Sequence, residues 1–273
     1  MTSRFFLNVP VRSLVGLLLC PSGFAFAVAN ESQIKGFSIR LLSINQSSFV
    51  FYQNDLSSTK KIINHFSMTA LERKQQTETF LSQLGIPVYS ELPAIEEESA
   101  VQIRSVQEIT ARIMILAYLN CIAIQEDLQP EILEYLKTQG LWEKVSVNEK
   151  IYFEKDSLTE EEKDIIASRA ESIWLLLWAI NKVDRLPLPT KEVDVDILFP
   201  LLPPFMEDPT EYITTASIRS ASEILNEADF IFRLNWALSK TSLEGLHARV
   251  AFERYVAVNW ITSARKDWDD HAI

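Results

Sequence analysis

A chain of 273 residues that is 47% apolar can build a large core, and six Trp with fifteen Phe exclude a disordered polymer. Only six glycines argue against an all-β fold built on tight turns. A formal charge of −11 without any Lys/Arg cluster argues against nucleic acid as a partner, because phosphate binding needs a basic surface.

The first 29 residues have the layout of a signal peptide. Arg4 and Arg12 flank the start of an apolar stretch, Pro21 and Gly23 break it, and Ala27 and Ala29 supply small side chains for cleavage. Cleavage after Ala29 and a periplasmic or secreted destination are expected, with a cytoplasmic protein as the alternative. The stretch is shorter than the ~20 residues a spanning helix needs, so no membrane span is expected in the mature chain. Leu19 is too bulky for a lipidation site at Cys20. Loss of Arg4 and Arg12 leaves 24 of the 26 basic residues against 37 acidic ones, a net of −13. Cys121 then stands alone, without an internal disulfide, and reads as a small core residue.

The residues from 30 to 68 form an N-terminal segment, with a short β-hairpin expected over 37–52 from its β-branched and aromatic content. From 69 to 273 the pattern is that of a helical domain. TALE at 69–72 has capping-box form and Gly85 a stop, which predicts a helix over about 70–84. Pro87 and Pro93 keep the next connector extended. SVQE at 105–108 opens a helix to about 125 whose second half is apolar all round except for Asn120, so it should be central. Pro130 starts a shorter helix that Gly140 ends. SLTE at 157–160 reads as a third capping box, beginning a long helix that ends in IWLLLWAI. Six of eleven prolines fall between 187 and 209, predicting a long loop wrapped across a surface. Helices resume over about 215–240 and 243–265. The expected fold is mainly α, one multi-helix, bundle-like domain with a proline-rich loop, and no internal repeat is evident.

Charges enter these helices where apolar residues belong. Leu246, Val250, Glu253, Ala257 and Trp260 share one stripe, so Glu253 should face a core. An ionised carboxylate buried alone would cost at least several kcal/mol, so Glu253 must meet an arginine or be protonated. Arg112, Arg219 and Arg233 are the candidates, since Arg254 projects about 100° away on an ideal helix. Arg104, Glu108 and Arg112 step by four into the central helix, and Glu171 precedes Trp174 and Trp178. Arg219 with Glu223, and Asp229 with Arg233, can pair within one helix.

The search for catalytic motifs is negative: no P-loop, no G-x-G-x-x-G, no G-x-S-x-G and no H-E-x-x-H occurs. His65, His247 and His271 are scattered, so no metal site is expected, and no cofactor is implied. DWDDH at 267–271 reads as a frayed acidic end.

The ordered set IRSVQEITAR, ESIWLLLWAI, IRSASEILNEADFIFRLNWA, FERYVAVNWI and WDD resembles the bacterial domain-of-unknown-function family 4272 over about residues 70–270. The resemblance implies a mostly helical domain with recurring residues at Arg104, Glu108, Arg112, Trp178, Arg219, Glu223, Asp229, Arg233, Trp236, Glu253, Arg254, Trp260, Trp268 and Asp269. It implies no activity. The family often has histidine before the Trp-Ala pair, where this chain has Asn235, and an export signal is atypical of it. The leading expectation is a non-enzymatic binding or interaction module with a buried Arg/Glu/Asp network. The alternative is a hydrolase-like enzyme using Glu223, Asp229 or Glu253 as general acid or base, with an arginine binding an anionic group. The partner, protein or small molecule, and the oligomeric state are not written in the sequence.

Overall fold

A computed structural model describes residues 68–270 in full and the backbone of 44–45, 48–55 and 58–64. The cleavage region near Ala29 and His271 lie outside the described residues. The chain divides into a unit ending at Ser67 and a second running Met68–Ile273.

In the first unit, β1 (Ile44–Asn45), β2 (Ser48–Asp55) and β3 (Ser58–Asn64) form an antiparallel sheet in the order β1-β2-β3. The main hairpin joins β2 and β3, with Asp55 opposite Ser58, and so falls later than the expected 37–52. Thr59, Ile62 and Ile63 are the β-branched residues that extend it.

The second unit is mainly helical. Its helices are α1 (Ala70–Gln83), α2 (Val106–Ile124), α3 (Gln129–Thr138), α4 (Val147–Phe153), α5 (Glu160–Ser168), α6 (Ala170–Ala179), α7 (Val195–Leu198), α8 (Thr210–Thr215), α9 (Ala221–Lys240) and α10 (Ala248–Ile261). Capping boxes start α1 at Thr69 and α2 at Ser105, as the sequence predicts, and also start α4 at Ser146 and α9 at Ser220. The SLTE reading is displaced by two residues: Thr159 caps α5 and Glu162 returns the bond. Three consecutive glutamates follow Thr159, and only Glu162 occupies the third helical position that closes the box.

The predicted long helix is broken at Arg169 into α5 and α6. Asn181 ends α6 in the left-handed region (φ 59°), and the Lys182 N–H reaches back to the Leu177 carbonyl at 2.9 Å. The proline segment is less irregular than expected, since it carries α7 and buries Leu198 in the core.

Helices α2, α6, α10 and α9 pack in that order, and their apolar faces form the largest core cluster. Helix α2 is the shared element: its other face joins α3, α4 and α5 in a second cluster. It is long and apolar enough to cross a bilayer, yet most of it is buried among these helices. Helix α1 covers α9 and forms a third cluster with it and α10.

This order contains a repeat that the sequence reading missed. Ile103-Arg104-Ser105 precedes α2 and Ile218-Arg219-Ser220 precedes α9, each followed by its capping glutamate three residues on. Arg219 grips the C-terminal end of α6: its N–H donates to the Ala179 carbonyl (2.9 Å), its Nε to the Trp178 carbonyl (2.7 Å), and its guanidinium lies 4.8 Å from the Trp178 ring centre. Arg104 does the same to α10, with the Ile261 carbonyl at 3.0 Å, the Trp260 carbonyl at 2.7 Å and the Trp260 ring at 4.3 Å. The pairs α2/α6 and α9/α10 are therefore one motif used twice. Each clasp holds the end of the other pair's second helix.

Each clasp satisfies helix-terminal carbonyls that lack intrahelical donors. Arg104→Ala and Arg219→Ala should therefore each destabilise the fold by a similar amount, roughly 2–3 kcal/mol, in urea unfolding. Lysine should not rescue either, because it lacks the planar fork and the flat face that stacks on indole.

Candidate functional site

The core charges resolve into separate pairs rather than one shared interior. Glu149, fully excluded from water, receives Arg112 Nη1 at 2.7 Å and Arg169 Nη1 at 3.2 Å. The same carboxylate accepts from the Ser146 N–H that it caps. Arg112 also donates to the Lys144 carbonyl, and its guanidinium lies 4.8 Å from the Trp268 ring centre. Asp229 is held by Arg233 through two parallel bonds of 2.9 and 3.0 Å, and Arg233 reaches on to Glu78 and the Pro93 carbonyl. Arg73, 1% exposed, bonds Asn226 and the Glu96 carbonyl, which fastens α1 and the extended connector to α9.

Arg254 corrects the reading of α10. It is buried and donates two bonds, at 3.0 and 3.1 Å, to Glu171 on α6. Most of α10 is buried, on more than the predicted stripe, so the direction of Arg254 is also interior. Glu171 also accepts from the Val193 N–H of the proline segment. Burial pushes its carboxyl up, against the pull of Arg254.

Glu253 meets none of the three arginines proposed for it. Its Oε2 lies 2.7 Å from Ser172 Oγ and its Oε1 3.4 Å from Ser168 Oγ. It lines a cleft of about 350 Å³ bounded by α4, α5, α10 and the C-terminal segment, with Arg169, Tyr152, Phe252, Glu162 and Trp268 in its walls. Burial raises its carboxyl above the ordinary range, opposed by the Ser172 bond and by Arg169. Arg169 uses one nitrogen for Glu149; among the described residues, its Nε and Nη2 have no acceptor. Lys155 already holds Glu162 through two contacts of 2.7 Å.

Trp268 and Asp269 overturn the reading of a frayed end. Trp268 is 4% exposed and packs edge-on to Trp260, while Asp269 accepts from Ser146 Oγ (2.7 Å) and the Asn148 N–H (2.9 Å), capping α4. Trp236 is not among the residues lining this cleft; it packs against Tyr89 and under Lys240. A second hollow, of about 270 Å³, is apolar and runs between α2 and Phe199, Pro203 and Phe205. Cys121 lines it, and burial pushes its thiol up, away from the reactive thiolate.

The sequence model of a family described as a domain of unknown function (DUF4272) matches residues 73–271. The chain belongs to the DUF4272 family. No curated protein and no solved structure matches it.

Within this DUF4272 domain, several site residues escaped the sequence reading. Glu149 was legible as the end of an S-x-x-E capping box at 146–149, but nothing local announces that two arginines converge on it. Arg169, Ser168 and Ser172 sit at a helix junction that looked continuous. Glu227 drew no sequence expectation, yet burial pushes its carboxyl up to about 7 against the pull of Arg254 and Arg219. It occupies the place in α9 that Arg112 holds in α2, eight residues after the clasping arginine. Asn235, where the resemblance implies histidine, is buried, and its Nδ2 finds no acceptor among the described residues.

Removing the charge of Glu149 leaves two guanidiniums without their carboxylate, so Glu149→Gln should cost about 3–5 kcal/mol in denaturant unfolding. Glu253→Gln should cost less than about 0.5 kcal/mol, since the amide keeps the shape of a carboxyl outside the ion pairs. The raised Glu227 carboxyl stabilises the fold fully below about pH 4.5, and that contribution is lost as pH climbs through about 7. Glu227→Gln should flatten this part of a stability-versus-pH curve.

Proposed function

We propose that this protein is a non-enzymatic binding module, a helical scaffold locked by buried ion pairs that offers the cleft at Glu253 and Arg169 to a small-molecule partner. One observation carries the reading. The carboxylates of Glu149, Glu171 and Asp229 are 0–2% exposed and already engaged by arginine, whereas Glu253 and Arg169 line a cleft with bonding capacity left over. A sealed, paired charge has no access to a substrate, and a concave polar site with apolar walls is the usual form of a ligand site.

The hydrolase reading survives at one of its three residues. Asp229 is sealed. Glu223 closes the cap of α9, where hydrogen bonds from Ser220 and the pull of Arg219 outweigh burial and hold its carboxyl below the ordinary range. Only Glu253 combines a raised carboxyl, a cleft and a neighbouring arginine, the combination a general acid needs.

The two readings diverge under assay of the whole chain against panels of chromogenic carboxylic and phosphate esters and amides. The binding reading expects turnover at background level, identical in wild type and Glu253→Gln. Turnover that disappears in Glu253→Gln, at unchanged melting temperature, would establish the hydrolase instead.

A further inference from the structure

The duplicated helix pair gives Glu253 an internal counterpart. Aligning the clasped tryptophans, Trp178 of α6 with Trp260 of α10, brings Glu171 onto Glu253, each seven residues before its tryptophan. The residue after each glutamate faces the other: Arg254 bonds Glu171 at 3.0 Å, and Ser172 bonds Glu253 at 2.7 Å. These are the same contact seen from the two sides of the repeat. At Glu171 the position is filled by a guanidinium fork and by the Val193 N–H. At Glu253 a serine stands where the arginine should be, and the cleft occupies the space beyond it.

Counting protons shows that the serines do not make good the loss. Each hydroxyl carries one hydrogen. Ser168 Oγ lies 2.7 Å from the Ile165 carbonyl and 3.4 Å from Glu253 Oε1, so its hydrogen belongs to the carbonyl. Ser172 Oγ lies 2.9 Å from the Glu253 carbonyl and 2.7 Å from Oε2. One hydroxyl hydrogen cannot serve both acceptors fully, so Ser172 gives Glu253 at most one strong side-chain hydrogen bond. Among the described residues Oε1 has no short donor, Glu253 lines the cleft, and burial raises its carboxyl. The cations facing it pull the carboxyl down but are spent elsewhere: Arg169 is engaged by Glu149 and Arg249 by Asp164 at 2.6 Å, while Glu162 pairs with Lys155.

We infer that Glu253 is the receptor for a cationic nitrogen of a small ligand, an ammonium or guanidinium group that takes the place Arg254 and Val193 hold at Glu171. The Nε and Nη2 of Arg169, without an acceptor among the described residues, take a carboxylate on the same ligand, and Trp268, Tyr152 and Phe252 flank an apolar body. The ligand class is a compact zwitterion of the amino-acid type. This rests on the proposal that the cleft is a binding site. Burial raises the Glu253 carboxyl and a cation favours its ionised form, so affinity for the amine rises with pH as that carboxyl ionises.

Three probes of one shape test this on the full chain: phenylalanine, phenethylamine and 3-phenylpropionate, titrated while the Trp268 indole N–H, assigned with Trp268→Phe, is followed by NMR. Phenylalanine and phenethylamine should bind, with 3-phenylpropionate at least about tenfold weaker than phenylalanine. Glu253→Gln should weaken phenethylamine by about 10- to 100-fold and remove its pH dependence. Arg169→Lys should weaken phenylalanine and leave phenethylamine unchanged. Binding of 3-phenylpropionate without phenethylamine overturns the ligand class while leaving the cleft a binding site. Silence of the indole signal with all three probes overturns both.

Discussion

One carboxylate shared by two guanidiniums carries the architecture of this domain. Glu149 cannot remain ionised out of water without full compensation, and its compensation comes from α2 through Arg112 and from the α5–α6 junction through Arg169. Its own helix has only seven residues, too short to stand by itself. Helix α4 is in place because Glu149 both caps it and pins it, while Asp269 holds its first turn from the C-terminal segment. At the break between α5 and α6, Arg169 meets Glu149 while Glu171, two residues on, meets Arg254.

The repeated clasp explains why four helices of different sequence lie side by side in one order. Arg104 and Arg219 each join a helix start to a helix end more than thirty residues away, by hydrogen bonds that only the planar fork provides and by stacking on indole. Since the clasps are reciprocal, neither helix pair is complete without the other. The glutamate four residues after each clasping arginine does double service: its carboxylate closes the cap and also pairs with that arginine, at 3.2 Å in one case and 3.4 Å in the other. Around this common frame the two pairs have diverged. Arg112 in one matches Glu227 in the other, and Arg254 matches Ser172, so the same scaffold seals its charges on one side and leaves one open on the other.

Much of this fold was written locally. Four-residue capping boxes, glycine stops and the apolar run of α2 are properties of adjacent residues, and they place α1, α2 and α3 closely. Pairing partners are properties of three dimensions. Arg112 and Glu149 are 37 residues apart, and Glu171 and Arg254 are 83 apart, so no helical period relates them. The periodicity of α10 misled for a related reason. Helical spacing tells which residues share a face, but most of α10 is enclosed and its open side is that of Arg249, Phe252 and Glu253, and so Arg254 is as interior as Val250. The repeat was in view as IRSVQE and IRSASE, six residues long in each copy. Too short to stand out by letter matching, it becomes visible once both arginines are seen gripping a tryptophan-bearing helix end. Arg169, which completes the candidate site, had no local signature, because its surroundings read as continuous helix.

The difference between Glu171 and Glu253 also explains how scaffold and site coexist on the two packed helices α6 and α10. A carboxylate with its guanidinium supplied in the chain contributes to specifying the fold and is chemically silent, because opening it would strand two buried charges. Where a serine stands in place of that guanidinium, the carboxyl of Glu253 is left with hydroxyl contacts alone, and burial raises it. What remains is a carboxyl in the wall of a cleft, whose ionisation a cation entering beside it would favour. Such a group adds little to stability and responds strongly to what enters beside it. That division follows from the chain's own arrangement, in which the network that holds the helices together includes Glu149, Glu171 and Asp229 and leaves Glu253 out.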